Sequence, residues 1–141
     1  ETHEPVHLGG RCKRVSIFLS VFDVHVQQAP VSGTVLQVQH HPGRFLNALK
    51  TESAAHNENV LIGIRAHEAG QPIIAVRLIA GLIARRILPW LSAGETIQRG
   101  ERISLIQFGS RVDVYLPLSA EIVVRLGQRV RGGETVLARL K

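Results

Sequence analysis

Val15, Ile17, Leu19 and Val21 alternate with Ser16, Phe18, Ser20 and Phe22, the period of a β-strand. The parity then flips, because Val24 and Val26 form the next apolar pair, so a bend or bulge is expected at Phe22-Asp23. Beyond it, Asp23 and His25 fall on one face of an extended backbone. Further strands are predicted over 34–38, 60–65 and 73–79, and Glu68-Ala69-Gly70-Gln71-Pro72 reads as the hairpin connection between the last two. Residues 46–59 read as a loop with at most one helical turn. Residues 80–88 fit a short helix or a buried strand equally well. The runs 103–108 and 112–116 read as strands. So does 118–126, where Leu118, Ala120, Ile122, Val124 and Leu126 alternate with Ser119, Glu121, Val123 and Arg125.

A weak internal repeat accompanies these strands. Gly94-x-x-Ile97-x-x-Gly100-x-x-Ile103 matches Gly127-x-x-Val130-x-x-Gly133-x-x-Val136, and Pro30-Val31-Ser32-Gly33-x-Val35 matches Pro117-Leu118-Ser119-Ala120-x-Ile122. Glycines three residues from a β-branched residue suit tight turns between short strands. The pattern resembles the barrel-sandwich hybrid modules of lipoyl and biotinyl carriers, in which a Lys at a hairpin tip holds the cofactor. Lys13, Lys50 and Lys141 are the lysines here and none sits in such a turn, so a carrier role is not expected. The predicted fold is mainly β: a single-domain β-sandwich or barrel-sandwich-hybrid-like sheet with little helix.

Composition narrows the function classes. With 141 residues, 45% hydrophobic and 20% charged, the chain is long enough for one domain and too apolar for a disordered segment. One cysteine, Cys12, excludes a disulfide framework and a multi-cysteine zinc site. Aromatics at 4% are too sparse for the stacking platforms typical of single-strand nucleic-acid binders. The formal charge of +6 suits an anionic partner, either nucleic acid or an acidic membrane surface. The greasiest stretch, 73–91, is broken by Arg77, Arg85, Arg86 and Pro89 and does not read as a membrane span. The chain opens on Glu1-Thr2-His3-Glu4-Pro5 and contains no Met, so its start reads as a cut inside a longer protein.

Seven histidines raise the question of a metal. His40 and His41 point to opposite faces of a strand, and His3, His7, His56 and His67 lie in polar segments; no metal site is predicted. Asp23 and His25 are an acid and an imidazole placed to form an orienting pair, or a surface pair at a strand end. Ser16, Ser20, Ser32 and Ser110 are candidate nucleophiles without a G-x-S-x-G elbow.

Three long motifs give a sharper picture. They are the stretch 14–33, with Phe22-Asp23-Val24-His25 and Ala29-Pro30-Val31-Ser32-Gly33; the stretch 79–87, with Arg85-Arg86; and the stretch 100–117, with Phe108-Gly109-Ser110-Arg111. In this order they resemble the phosphatidylserine decarboxylases of the short bacterial and archaeal branch, from about Leu8 to the end of the chain. The resemblance implies a proenzyme that cleaves itself between Gly109 and Ser110 into a β chain, 1–109, and an α chain, 110–141, which stay together. The Ser110 hydroxyl attacks the Gly109 carbonyl, which has no Cβ to shield it. The ester breaks by β-elimination, and hydrolysis of the resulting dehydroalanine leaves a pyruvoyl group and ammonia.

That ketone then forms a Schiff base with the serine-headgroup amine and accepts electrons as carbon dioxide leaves. His25, on the family's Asp-x-His motif, is the expected proton-transfer group. Arg85, Arg86 or Arg111 are the expected partners of the substrate phosphate or carboxylate. Longer family members carry a second His where Gln28 stands, and an upstream Pro-Ala-Asp-Gly segment that supplies the aspartate for self-cleavage. Asp23 is the nearest replacement in these residues. The implied setting is the cytoplasmic face of an anionic membrane, held peripherally, with no nucleic-acid partner and with self-association into a homo-oligomer compatible with the chain. The close variant is an archaetidylserine substrate, and the rival is a non-catalytic β module or an inactive truncated proenzyme.

Overall fold

The computed structural model describes residues 2–4, 7–19, 26–41, 58–80, 87–106, 110–131 and 135–140. In these residues the chain forms β1 (Thr2–Glu4), β2 (Gly10–Leu19), β3 (Val26–Gln28), β4 (Gly33–His41), β5 (Asn59–Ala66) and β6 (Ile73–Ala80). There follow β7 (Ile87–Pro89), β8 (Thr96–Ile97), β9 (Arg102–Ile106), β10 (Ser110–Leu116), β11 (Glu121–Ile122) and β12 (Ala138–Arg139). A seven-stranded sheet runs β1-β2-β10-β6-β5-β4-β8, a three-stranded sheet runs β3-β9-β7, and β11 pairs with β12. All pairings are antiparallel and the sheets stay open rather than closing into a barrel. The mainly β expectation holds. No helix among the described residues is long and apolar enough to cross a membrane.

The core explains why β5 and β6 read as nearly continuous apolar runs. Val60, Ile62 and Ile64 of β5 meet Leu78, Val76 and Ile74 of β6 on one face, where Val112, Val114 and Leu116 of β10 join them. Ala29, Ile87, Leu91 and Ile103 pack with that face from the small sheet and its turns, and Ile97 joins them from β8. Leu61 and Ala75 point the other way and pack with Cys12 and Tyr115. Strands covered on both faces lose the polar half of the alternation. Each fully buried Leu or Ile there contributes about 1.5–3 kcal/mol.

The repeat takes a physical form. Gly94, Gly100 and Gly127 sit at φ 91°, 85° and 80°, each third in a turn. In the turns 92–95, 98–101 and 125–128 the fourth residue donates its N–H to the first carbonyl. Its side-chain Oε1 accepts the first N–H in return: Glu95 from Ser92, Glu101 from Gln98, Gln128 from Arg125. The two halves differ in burial, since Ile97 and Ile103 are core whereas Val136 is exposed.

Two expectations change, and a third lies largely outside the described residues. The strand over 118–126 shrinks to Glu121–Ile122, because its one described ladder is two residues of β12. Turns at 117–120 and 125–128 end it on either side, and Leu118 and Leu126 are exposed. Of residues 80–88, Ala80 ends β6 and Ile87 begins β7; 81–86 lie outside the described residues. His7, expected in a polar segment, packs over Gly63, where its imidazole occupies the space a Cβ would need. The parity flip at Phe22-Asp23 lies outside the described residues, and register shifts occur instead at Gln27/Gln28 and Val35/Gln37. The 68–72 connection is as read: Gln71 N–H donates to Glu68 O at 2.8 Å, with Gly70 and Gln71 at positive φ.

Candidate active site

Of the connections between the two larger sheets, three bear on the site: β2 to β3, β6 to β7, and β9 to β10. Sheet order puts their ends side by side, since β2-β10-β6 in one sheet is matched by β3-β9-β7 in the other. Ser110, the first residue of β10, pairs with Leu19 at the end of β2 and with Ala80 at the end of β6. In the small sheet Val26 pairs with Leu105, and Ile87 pairs with Ile106. The β9–β10 connection therefore starts and finishes between the other two. It contains three residues, 107–109, so Ile106 and Ser110 are at most about 14 Å apart.

The candidate residues distribute along these connections. The chain order puts Asp23 and His25 between β2 and β3, Arg85 and Arg86 between β6 and β7, and Gly109 immediately before Ser110. Asp23, His25, Arg85, Arg86 and Gly109 themselves lie outside the described residues. What is described is that their strands end together around the first residue of the central strand β10.

Arg111 follows Ser110 and is 2% exposed. Its Nη2 donates to Asp113 Oδ2 at 2.9 Å, and Asp113 is fully buried. The pair arises because residues two apart on a strand share a face. The guanidinium also lies 6.0 Å from the Phe18 ring centre. Further along that face Arg77 stands over Tyr115 at 5.8 Å. Burial raises the Tyr115 phenol above its ordinary pKa of 10.0; Arg77 and a hydrogen bond from Arg14 pull it down, and Asp113 pushes it up. Sequence reading expected Arg111 to meet substrate, and the structure gives its guanidinium a buried carboxylate partner.

On the small sheet Gln27 Oε1 accepts from Ser104 Oγ at 2.8 Å. Gln28, at the position of the family's second His, is paired with Arg102. Sequence reading missed Glu58, which precedes β5 and bonds to Ala80, Ile87 and His40. No spacing rule links residues so far apart in the chain, so no local signal marked it.

The phosphatidylserine decarboxylase family profile matches residues 2–138. The chain is 43% identical over 140 residues to a phosphatidylserine decarboxylase proenzyme of Desulfotalea psychrophila and 44% identical over 140 residues to one of Symbiobacterium thermophilum. Each alignment covers 99% of this chain and 64% of the relative. A proenzyme of the same name from Mycobacterium tuberculosis is 51% identical over 128 residues, covering 91% of this chain and 54% of the relative. The chain belongs to the phosphatidylserine decarboxylase family. It spans between half and two thirds of the length of these relatives.

Proposed function

We propose that the chain is processed by scission of the Gly109–Ser110 bond and then converts phosphatidylserine to phosphatidylethanolamine with a pyruvoyl group made from Ser110. The observation that carries this reading is the position of Ser110: first residue of a central strand, laddered on both sides, beside the last described residues of β2 and β6. A break before such a residue leaves its strand held by β2 and β6, so 1–109 and 110–141 remain one sheet. The fit to a pyruvoyl group is of the same kind, because a group at the new terminus stays anchored by both neighbours.

The chemistry supplied by that group is an electron-withdrawing ketone that engages the substrate amine and accepts electrons as carbon dioxide leaves. In this reading His25 moves the proton at the substrate α-carbon, and Asp23 orients its imidazole. Asp23 and His25 also serve the self-cleavage, where Gln28 has no basic nitrogen to offer. Arg85 and Arg86 pair with the substrate phosphate or carboxylate. Arg111 is the third cation at the site, shared between Asp113 and any substrate anion. The +6 charge favours docking on an anionic bilayer at the cytoplasmic face.

The test is incubation of the purified protein with phosphatidylserine in mixed micelles, with Ser110→Ala alongside. Phosphatidylethanolamine formed by the wild type alone supports the reading. An intact chain without product contradicts it and favours a non-catalytic β module.

A further inference from the structure

Glu58 holds both larger sheets at once. Its backbone carbonyl accepts the Ala80 N–H at 2.9 Å. Its Oε1 accepts the Ile87 N–H at 3.1 Å, and its Oε2 meets His40 Nε2 at 3.0 Å. Ala80 is the ladder partner of Ser110, and Ile87 is the ladder partner of Ile106. One residue thus grips the neighbours of both residues that bound the 107–109 stretch. The Glu58 side chain is 16% exposed and its carboxylate is engaged at both oxygens, whereas the His40 side chain is half exposed.

We propose that Glu58 is a positioning residue for the Gly109–Ser110 junction, fixing the distance between Ile106 and Ser110 through Ile87 and Ala80. The inference rests on the processing reading above. A three-residue stretch has little slack, so the placement of its ends governs how the Ser110 hydroxyl can approach the preceding carbonyl. The six-residue connections on either side, 20–25 and 81–86, are not constrained so closely by length. Intramolecular attack is sensitive to displacements of about 1 Å, which can change a rate about 100-fold. The Ile87 bond needs an acceptor at the Oε1 position and not a negative charge. Glutamine supplies that acceptor, whereas aspartate is one methylene too short and alanine has none.

The experiment follows cleavage over time by intact mass in the full chain and in Glu58→Gln, Glu58→Asp and Glu58→Ala, with thermal melting of each. The expected result is Glu58→Gln within about twofold of wild type and Glu58→Asp and Glu58→Ala slowed about tenfold or more. Glu58→Asp is expected to melt like the wild type. Equal rates in all four overturn the proposal, and so does Glu58→Gln as slow as Glu58→Ala. If Glu58→Ala does not fold, the contrast between Gln and Asp decides. A wild type that stays whole overturns the processing reading and this inference with it. A wild type that cleaves while the variants do not respond overturns this inference alone.

Discussion

Arg111 and Asp113 stand two residues apart on β10 and bond at 2.9 Å, their side chains 2% and 0% exposed. This ion pair lies next to the residue at which the chain is proposed to break. Removing one member of a buried pair strands the other charge, at about 3–5 kcal/mol. Asp113→Ala is therefore expected to destabilise by that amount. Joint replacement by apolar residues, Arg111→Met with Asp113→Leu, is expected to recover most of it. Urea unfolding of the single and double variants measures this, and additive losses in the double variant contradict the pairing.

Tyr115 offers a clean alkaline probe, since it is the one tyrosine in the chain. Burial pushes its phenol above 10.0. The folded state then holds the phenol proton more tightly than the unfolded chain does. Stability present below pH 10 is lost as pH rises through the interval between the two pKa values. An absorbance titration should show the folded protein ionising at higher pH than the protein in guanidinium. Tyr115→Phe should flatten the alkaline loss of stability. Coincident midpoints contradict the account.

Two glycines separate steric from conformational demand. A Cβ on Gly33 would lie 2.5 Å from the Arg65 carbonyl oxygen and 2.8 Å from Ile64 Cγ2. A Cβ on Gly127 would meet nothing within 4 Å, but the residue sits at φ 80°. Gly33→Ala is expected to cost about 1–3 kcal/mol through overpacking. Gly127→Ala is expected to cost about 1–2 kcal/mol through its backbone alone. Asparagine tolerates the left-handed region, so Gly127→Asn should recover part of the loss while Gly33→Asn should not. Melting temperatures of the four variants check this, and equal behaviour at the two sites contradicts it.

These contrasts show what was legible in the chain. β5 and β6 were readable because burial on both faces writes a nearly continuous apolar run, and Gly70-Gln71-Pro72 marked the turn between them. The 118–126 strand misled because alternation reports a preferred face, not whether a neighbour lies alongside, and beside Ile122 only β12 does so among the described residues. Short strands such as β1, β3 and β7 carry too few residues for a period. At the site, Gly109-Ser110 meant something only with its flanking motifs. The gathering of the β2, β6 and β10 ends emerges from register, and the Glu58 bracket from contacts distant in sequence.

The central claim is that the chain breaks before Ser110. Intact-mass measurement of the purified protein, with Ser110→Ala beside it, tests this most directly. The account predicts two species divided at Gly109/Ser110, the smaller beginning with a pyruvoyl group in place of serine, and a single uncut species in the variant. A wild-type protein that remains one chain with an unmodified Ser110 contradicts it.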